Sequence, residues 1–188
     1  MKTRGGMRAR VARSSSQFMG IVLASALAAQ VAAATPERIL SKSVQVSASP
    51  ALVWEAWTTA EGVRTWMAPE AVVDARVDGP FRIFFNPSAP AGQRGADDMR
   101  FLALQPPRML SFDWNAPTNW PLVRAQRTMV IVRLEPVEGG TRVTLHQVGW
   151  GEGDDWDAVY RFFDRGWEQV LSRLQQRFLD GPIRWTPQ

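Results

Sequence analysis

The segment that most constrains the fold is the stretch of residues 148–182, VGWGEGDDWDAVYRFFDRGWEQVLSRLQQRFLDGP. Its large apolar residues recur every three or four positions, the spacing of one helix face: Trp156, Tyr160, Phe163, Trp167, Val170, Leu171, Leu174 and Phe178. Acidic residues follow Gly153 at the predicted start, and Gly181-Pro182 ends the pattern. A helix of roughly 26 residues is about 39 Å long. It can cross a seven-stranded sheet about 29 Å wide, so we expect its apolar face to lie over one apolar sheet face.

Upstream of this helix the apolar period changes to two, which is typical of strands. A first strand is predicted within 37–49, and Ser49-Pro50 then begins a short helix, followed by a second one over about 60–67. Three hairpins are predicted next, over 71–77 and 81–86, 99–105 and 109–114, and 128–136 and 141–148. Two segments rich in Pro, Gly or Ala are predicted loops, 86–98 and 115–127.

Residues 1–34 have the layout of an export signal. A basic segment, MKTRGGMRARVAR, precedes an uncharged run from Phe18 to Ala34, and Ala32 with Ala34 forms an A-x-A cleavage site. The alternative is an uncleaved membrane anchor, but an Ala-rich run of about 17 residues is short for a span. We therefore predict a cleaved signal peptide over 1–34, a domain over 35–188, and a periplasmic or secreted protein without a stable membrane anchor.

Charge and cysteine content narrow the function classes. The formal charge is +4, but five of the 22 basic residues lie within 1–34, leaving 17 basic against 18 acidic residues. The predicted domain is therefore near neutral, which argues against a nucleic-acid partner. The chain has no cysteine, so disulfides, a thiol nucleophile and thiolate metal ligands are excluded. Its nine Trp and nine Phe are expected to supply much of the apolar surface that packs in the core.

Several segments resemble a known family. SPALVWEAWTTAEGVRTWMAPE, DGPFRIFF, GGTRVTL, GPIRW and the stretch 148–174 are similar to the START-like SRPBCC superfamily, and within it to the heat-shock-protein-90 ATPase activator homologues. The resemblance covers about residues 40–186. It implies an α+β helix-grip fold, with two short helices after the first strand and a curved antiparallel sheet of six or seven strands beneath the long C-terminal helix. Many relatives carry T-H-x-G-F on the last strand. Here Gln147 stands at the His position and His146 points to the other sheet face, so no role of that His is carried over.

The resemblance also implies a cavity between sheet and helix, where members of this superfamily bind hydrophobic molecules. The residues expected to line it are aromatic: Trp66, Phe85, Phe101, Phe112, Trp114, Trp150, Trp156, Tyr160 and Phe163. The alternative for each is plain core packing, the commoner role of aromatics at such spacing. Tyr160, the only tyrosine, is a hypothesis for orienting a ligand carbonyl or phenol.

No catalytic motif is evident in the residues. His146 is the only histidine and no G-x-S-x-G turn occurs, which leaves no basis for a Ser-His-Asp or Cys-His arrangement. Asp154, Asp155 and Asp157 could bind Ca²⁺, but stabilising a helix start is the commoner role of such acids. We predict no catalytic residue, no metal and no cofactor.

We therefore expect an exported single-domain protein that binds a small hydrophobic molecule. One alternative is a protein-interaction or co-chaperone-like module, which predicts a filled cavity and an exposed apolar patch for a protein partner. The other is a cofactor-free cyclase or hydrolase, which predicts paired polar groups with shifted pKa values inside the cavity.

Overall fold

Two antiparallel sheets and four helices make up residues 37–185, the part of the chain that the computed structural model describes. The strands are β1 Leu40–Val46, β2 Glu70–Val73, β3 Phe81–Phe84, β4 Gly95–Ala96, β5 Phe101–Gln105, β6 Met109–Trp114, β7 Thr128–Val137 and β8 Gly140–Val148. The helices are α1 Pro50–Thr58, α2 Ala60–Arg64, α3 Pro121–Arg124 and α4 Asp154–Asp180. None of the helices in 37–185 has the length and apolar character to cross a membrane. The predicted signal peptide over 1–34 lies outside the described residues.

The helix ends follow from the capping chemistry of the sequence. The Ser49 hydroxyl accepts a hydrogen bond from the Leu52 amide at 3.4 Å, with Pro50 in the first turn of α1. Helix α4 is flanked by Gly153 and Gly181, whose φ angles of 104° and 94° favour glycine. The predicted bounds of α4 are therefore confirmed, and the two short helices follow the first strand as expected.

The sheets confirm the α+β fold class and change the strand count. The larger sheet has the order β1-β8-β7-β6-β5 and the smaller one β2-β3-β4. The prediction of six or seven strands in one sheet was therefore inaccurate, since eight strands are divided between two sheets. The ladders of the two sheets are joined by a bridge between Pro80 and Arg100, flanked by hydrogen bonds from the Phe81 amide to the Met99 carbonyl and from the Phe101 amide to the Gly79 carbonyl.

The two predicted loops each contain a short element. Strand β4 lies within 86–98 and helix α3 within 115–127. Strand β2 is also shorter than the predicted 71–77, because the chain turns after Val73 into a tight bend with Asp78 at a φ of 61°. The departures in 86–98 and 115–127 matter because both of these segments border the candidate site.

One apolar face of α4 lies over the inner face of the larger sheet, as expected. The buried residues of this helix are Trp156, Val159, Phe163, Trp167, Leu171 and Leu174. The sheet contributes alternating residues that include Leu110, Phe112, Val130, Val132, Val143 and Leu145. The short helices add Trp57 and Trp66, whose rings lie 4.7 Å apart, and Trp57 lies 6.2 Å from Phe112.

Candidate functional site

A cleft with a volume of about 360 Å³ opens beside the middle of α4. One wall is α4, through Phe162, Phe163, Gly166, Trp167, Gln169 and Val170. The floor is the end of β6 and the residues after it, Trp114 to Thr118. The opposite wall is the segment 85–96, joined by Arg124 of α3. The volume lies within the range of small-molecule pockets, about 300–1,000 Å³.

Flat aromatic surfaces form the inner part of the cleft. The rings of Trp114 and Trp167 lie 5.4 Å apart, and Phe163 stacks on Trp167 at 6.4 Å. Phe162 packs edge-on against Phe163 at 5.2 Å and is 41% exposed, so it stands at the mouth. Between these side chains lies Gly166, where an added Cβ would meet no heavy atom within 4 Å. The helix therefore leaves open space where a larger residue would fill the cleft.

Arg124 ties the two loop segments that border the cleft. Its Nη2 donates to the carbonyl oxygens of Gly92 and Gly95 at 2.9 and 3.1 Å, and its Nη1 donates to the carbonyl of Ala116. The Asn115 amide, with its oxygen turned towards the guanidinium, accepts from both Nη atoms at 3.0 Å. One side chain thus fixes the wall formed by 85–96 against the floor.

A second arginine is neutralised locally by a carboxylate. Arg94 donates to Asp97 at 2.9 Å and lies 4.1 Å above the Phe84 ring. Asp97 also accepts from the backbone amides of Gly92 and Gly95 at 2.9 and 3.0 Å. Burial on its own would raise the pKa of Asp97, but the hydrogen bond from Arg94 and the two amide donors outweigh it, so the pKa lies below its usual value.

A buried amide orients one aromatic wall. Gln147 is fully buried; its Oε1 accepts from the Trp167 indole N–H at 2.7 Å and its Nε2 donates to the Thr128 hydroxyl at 2.8 Å. His146 lies on the other face of the sheet, with its Nδ1 2.7 Å from the Ser41 hydroxyl. The inward position of Gln147 and the outward position of His146 confirm the alternation predicted from the sequence.

The nine aromatic residues predicted for the cavity fall into three groups. Phe85, Trp114 and Phe163 line the cleft. Trp66, Phe101 and Phe112 are fully buried core residues away from it. The remaining three form a cluster near the start of α4 and do not line the cleft: Trp150, Trp156 and Tyr160.

The Tyr160 hydroxyl does not point to the cleft. It lies 3.5 Å from the Ile39 carbonyl, and its ring packs 4.9 Å from Trp150 and beneath the Arg38 guanidinium at 5.2 Å. The hypothesis that Tyr160 orients a ligand in this cleft therefore lacks the geometry it needs. Asp157 binds Arg38 at 2.6 Å, and no group of three potential metal ligands occurs within 37–185.

Sequence reasoning missed the polar and glycine positions of the cleft. Arg94, Asn115 and Arg124 come from the segments predicted as plain loops, and Gly166 with Gln169 comes from α4. A usable signal was Gly166, since glycine costs about 1 kcal/mol in a helix interior relative to alanine. A glycine in the interior of a long helix is therefore a signal for a position that needs space.

Comparison with known proteins identifies the family of the chain. A family model described as "Activator of Hsp90 ATPase homolog 1-like protein" matches residues 47–178. No curated protein is similar enough to the chain to count as a match.

Solved structures with the same fold cover most of the chain. MLL2253 from Mesorhizobium loti is 27% identical, with a TM-score of 0.61 over 76% of this chain and 97% of that one. BH1534 from Bacillus halodurans is 27% identical, with a TM-score of 0.57 over 75% and 96%. The Aha1 dimer from Colwellia psychrerythraea is 23% identical, with a TM-score of 0.59 over 77% and 98%. The fold and the matched residues together confirm the resemblance seen in the sequence: the chain belongs to the family of Activator of Hsp90 ATPase homolog 1-like proteins, within the START-like SRPBCC superfamily.

Proposed function

We propose that this protein binds a small, largely apolar molecule in the cleft between α4 and the segment 85–96. The observation that carries the proposal is the open space beside Gly166, bounded by the indole of Trp167 and the ring of Phe163. At the mouth, Phe85 and Phe162 leave apolar surface open to the cleft, which is unfavourable unless another group covers it. A ligand with rings or chains would cover these surfaces.

The polar groups of the cleft suit orientation more than catalysis. The described residues that line it include neither an acidic residue nor a histidine. Amide and hydroxyl side chains at the rim can donate and accept hydrogen bonds: Asn86, Gln93, Thr118 and Gln169. A mostly apolar pocket with a few polar groups is typical of ligand binding, whereas a cyclase or hydrolase would need a proton-transferring pair.

A co-chaperone-like interaction is the second candidate, and exposed apolar side chains favour it. Phe85 and Phe162 at the cleft are 37% and 41% exposed, and Leu122 on α3 is 75% exposed. A protein partner could cover these three side chains together. The open cleft favours the small-molecule proposal over this candidate, because a protein that acts only through its surface does not need an unfilled cleft.

We also propose that the protein is exported, on the support of the basic segment, the apolar run and the A-x-A site in residues 1–34. Fusing residues 1–34 to a reporter that is active only outside the cytoplasm tests this. Mass spectrometry of the native protein should then give a chain that begins at Thr35. A reporter retained inside the cell would contradict export and strengthen the co-chaperone candidate.

Binding is tested with N-phenyl-1-naphthylamine, an uncharged probe whose fluorescence rises in apolar surroundings. The Gly166→Leu variant should bind it about tenfold more weakly, a loss of about 1.4 kcal/mol, since the leucine side chain would take up the open space that the probe needs. The matched control is Ser172→Leu, which places the same side chain at an exposed position of α4 outside the cleft. Equal affinities for the wild type and both variants would show that the probe binds elsewhere and contradict the proposal.

A further inference from the structure

We infer that the cleft selects ligands with an anionic group beside an apolar ring system, and that Arg124 is the cation that receives the anion. This inference rests on the proposed ligand-binding function and adds the charge class of the ligand. It follows from how the charged side chains in and around the cleft are paired.

Of the two arginines that line the cleft, one is paired with a carboxylate and the other is not. Arg94 is paired with the carboxylate of Asp97 at 2.9 Å. Arg124 bonds only to uncharged oxygens, and no carboxylate of the described residues 37–185 lies within ion-pair distance of it. The cleft therefore carries one positive charge without an opposite charge.

The two acidic residues that lie between cleft-lining positions of α4 in the sequence form ion pairs outside the cleft. Asp164 and Glu168 contact the Lys42 ammonium of β1 at 2.9 and 3.6 Å, and neither lines the cleft. No carboxylate of α4 is therefore positioned to neutralise Arg124 or to attract a cationic ligand.

The surroundings of Arg124 strengthen its electrostatic effect. Three of its hydrogen-bond partners, Gly95, Asn115 and Ala116, themselves line the cleft, and the arginine is half-buried. Near apolar walls such as Trp114 the effective dielectric constant is lower than in water, which raises the attraction for an anion. Both of its Nη groups already donate to protein oxygens, so its Nε–H, which has no acceptor among the described residues, is the donor left for an anion.

The experiment compares two probes that share one fluorophore. N-phenyl-1-naphthylamine is uncharged, and 1-anilinonaphthalene-8-sulfonate adds a sulfonate to the same ring system. The measured quantity is the ratio of their dissociation constants in each variant at low salt. The neutral probe reports whether the cleft is intact, and the ratio reports the contribution of charge.

Arg124→Gln should shift this ratio about tenfold against the anionic probe, the effect of losing one hydrogen bond to a charged group. Arg124→Lys, which keeps the charge, should retain most of the preference. Arg133→Gln is the control, since it removes one positive charge from an exposed position on the outer face of β7. The preference should also weaken as salt rises.

The possible outcomes separate this inference from the proposed function. An unchanged ratio in Arg124→Gln, with the neutral probe still bound, overturns the inference and leaves ligand binding standing. If Arg124→Gln binds neither probe, the lysine variant decides. Recovery of both the neutral probe and the anion preference supports the inference. Recovery of the neutral probe alone, or of neither probe, shows that Arg124 acts by holding the cleft together and overturns it. A wild-type protein that binds neither probe refutes the proposed function and this inference with it.

Discussion

Gly166 is the position where one added methyl group should stabilise the protein. It lies in the interior of α4, and an added Cβ there would meet no heavy atom within 4 Å. Glycine in a helix interior is less favourable than alanine by about 1 kcal/mol. Since no contact opposes the substitution, Gly166→Ala should gain most of that difference. For a domain of this size, about 1 kcal/mol corresponds to a rise in Tm of about 2–4 °C.

Gly62 in α2 is the matched control, because the same substitution should have the opposite effect there. An added Cβ at Gly62 would collide with the Glu55 carbonyl oxygen and approach the Ala56 Cα to 2.8 Å. These are backbone atoms that cannot rotate away. Gly62→Ala should therefore lower Tm, although both glycines are helical.

The assay is thermal unfolding of both variants, followed by circular dichroism at one protein concentration, together with titration of the uncharged probe. Gly166→Ala should raise Tm and keep probe affinity within about threefold, because a methyl group occupies little of a cleft of this size. A lower Tm for Gly166→Ala would show that the space beside α4 is already filled. That result would refute both the stability argument and the cleft on which the proposed function depends.

Three further predictions concern the residues around the cleft and the core. The folded-state pKa of Asp97 lies below its usual value of 3.8, so its stabilising contribution is complete above that value and is lost as pH falls through the lowered pKa. The Tm difference between wild type and Asp97→Asn should accordingly stay constant near neutral pH and shrink below about pH 4; a difference that grows on acidification would contradict this. Gln147→Leu leaves the buried indole N–H of Trp167 without its acceptor and should cost about 1–3 kcal/mol in urea unfolding; an unchanged midpoint would show that the bond contributes nothing. Leu174→Ala should cost about 2–5 kcal/mol because the residue is fully buried, whereas Leu179→Ala, 64% exposed, should have little effect, and equal losses would contradict the packing described.

Much of the fold was predictable because its elements have strong local signals. The hairpin of β7 and β8 has alternating apolar residues and a glycine turn, and α4 has a long apolar stripe with glycines at both ends. The division of the strands into two sheets was not predictable, since the segments that meet at Pro80 and Arg100 pair over a single bridge, which has no signal in the sequence. Short elements such as β4 and α3 carry too few residues to show a period.

The site was less predictable because its residues are brought together by tertiary contacts. Arg124 reaches Gly92, 32 positions away in the chain, and Ala116, eight positions away. No spacing rule links these residues. The aromatic residues expected to line a cavity were divided by the structure between the core, the cleft and a cluster near the start of α4. An inward-facing strand position, such as Phe112 or Trp114, is compatible with either core or cleft.

Helix α4 shows why the sequence could not separate core from cleft. Its buried stripe includes Phe163, Trp167 and Leu171, and its cleft-lining positions include Phe162 and Gly166. At 3.6 residues per turn, the two stripes are about a quarter turn apart around the same helix. The core stripe is continuous and apolar, so it dominates the hydrophobic periodicity of the sequence. The cleft stripe mixes an aromatic residue with a glycine, a pattern that sequence analysis assigns to a solvent-facing position. The aromatic surface of α4 therefore has two roles, packing on the sheet and bordering an open space, and Gly166, which helix propensity alone would replace with alanine, leaves that space open.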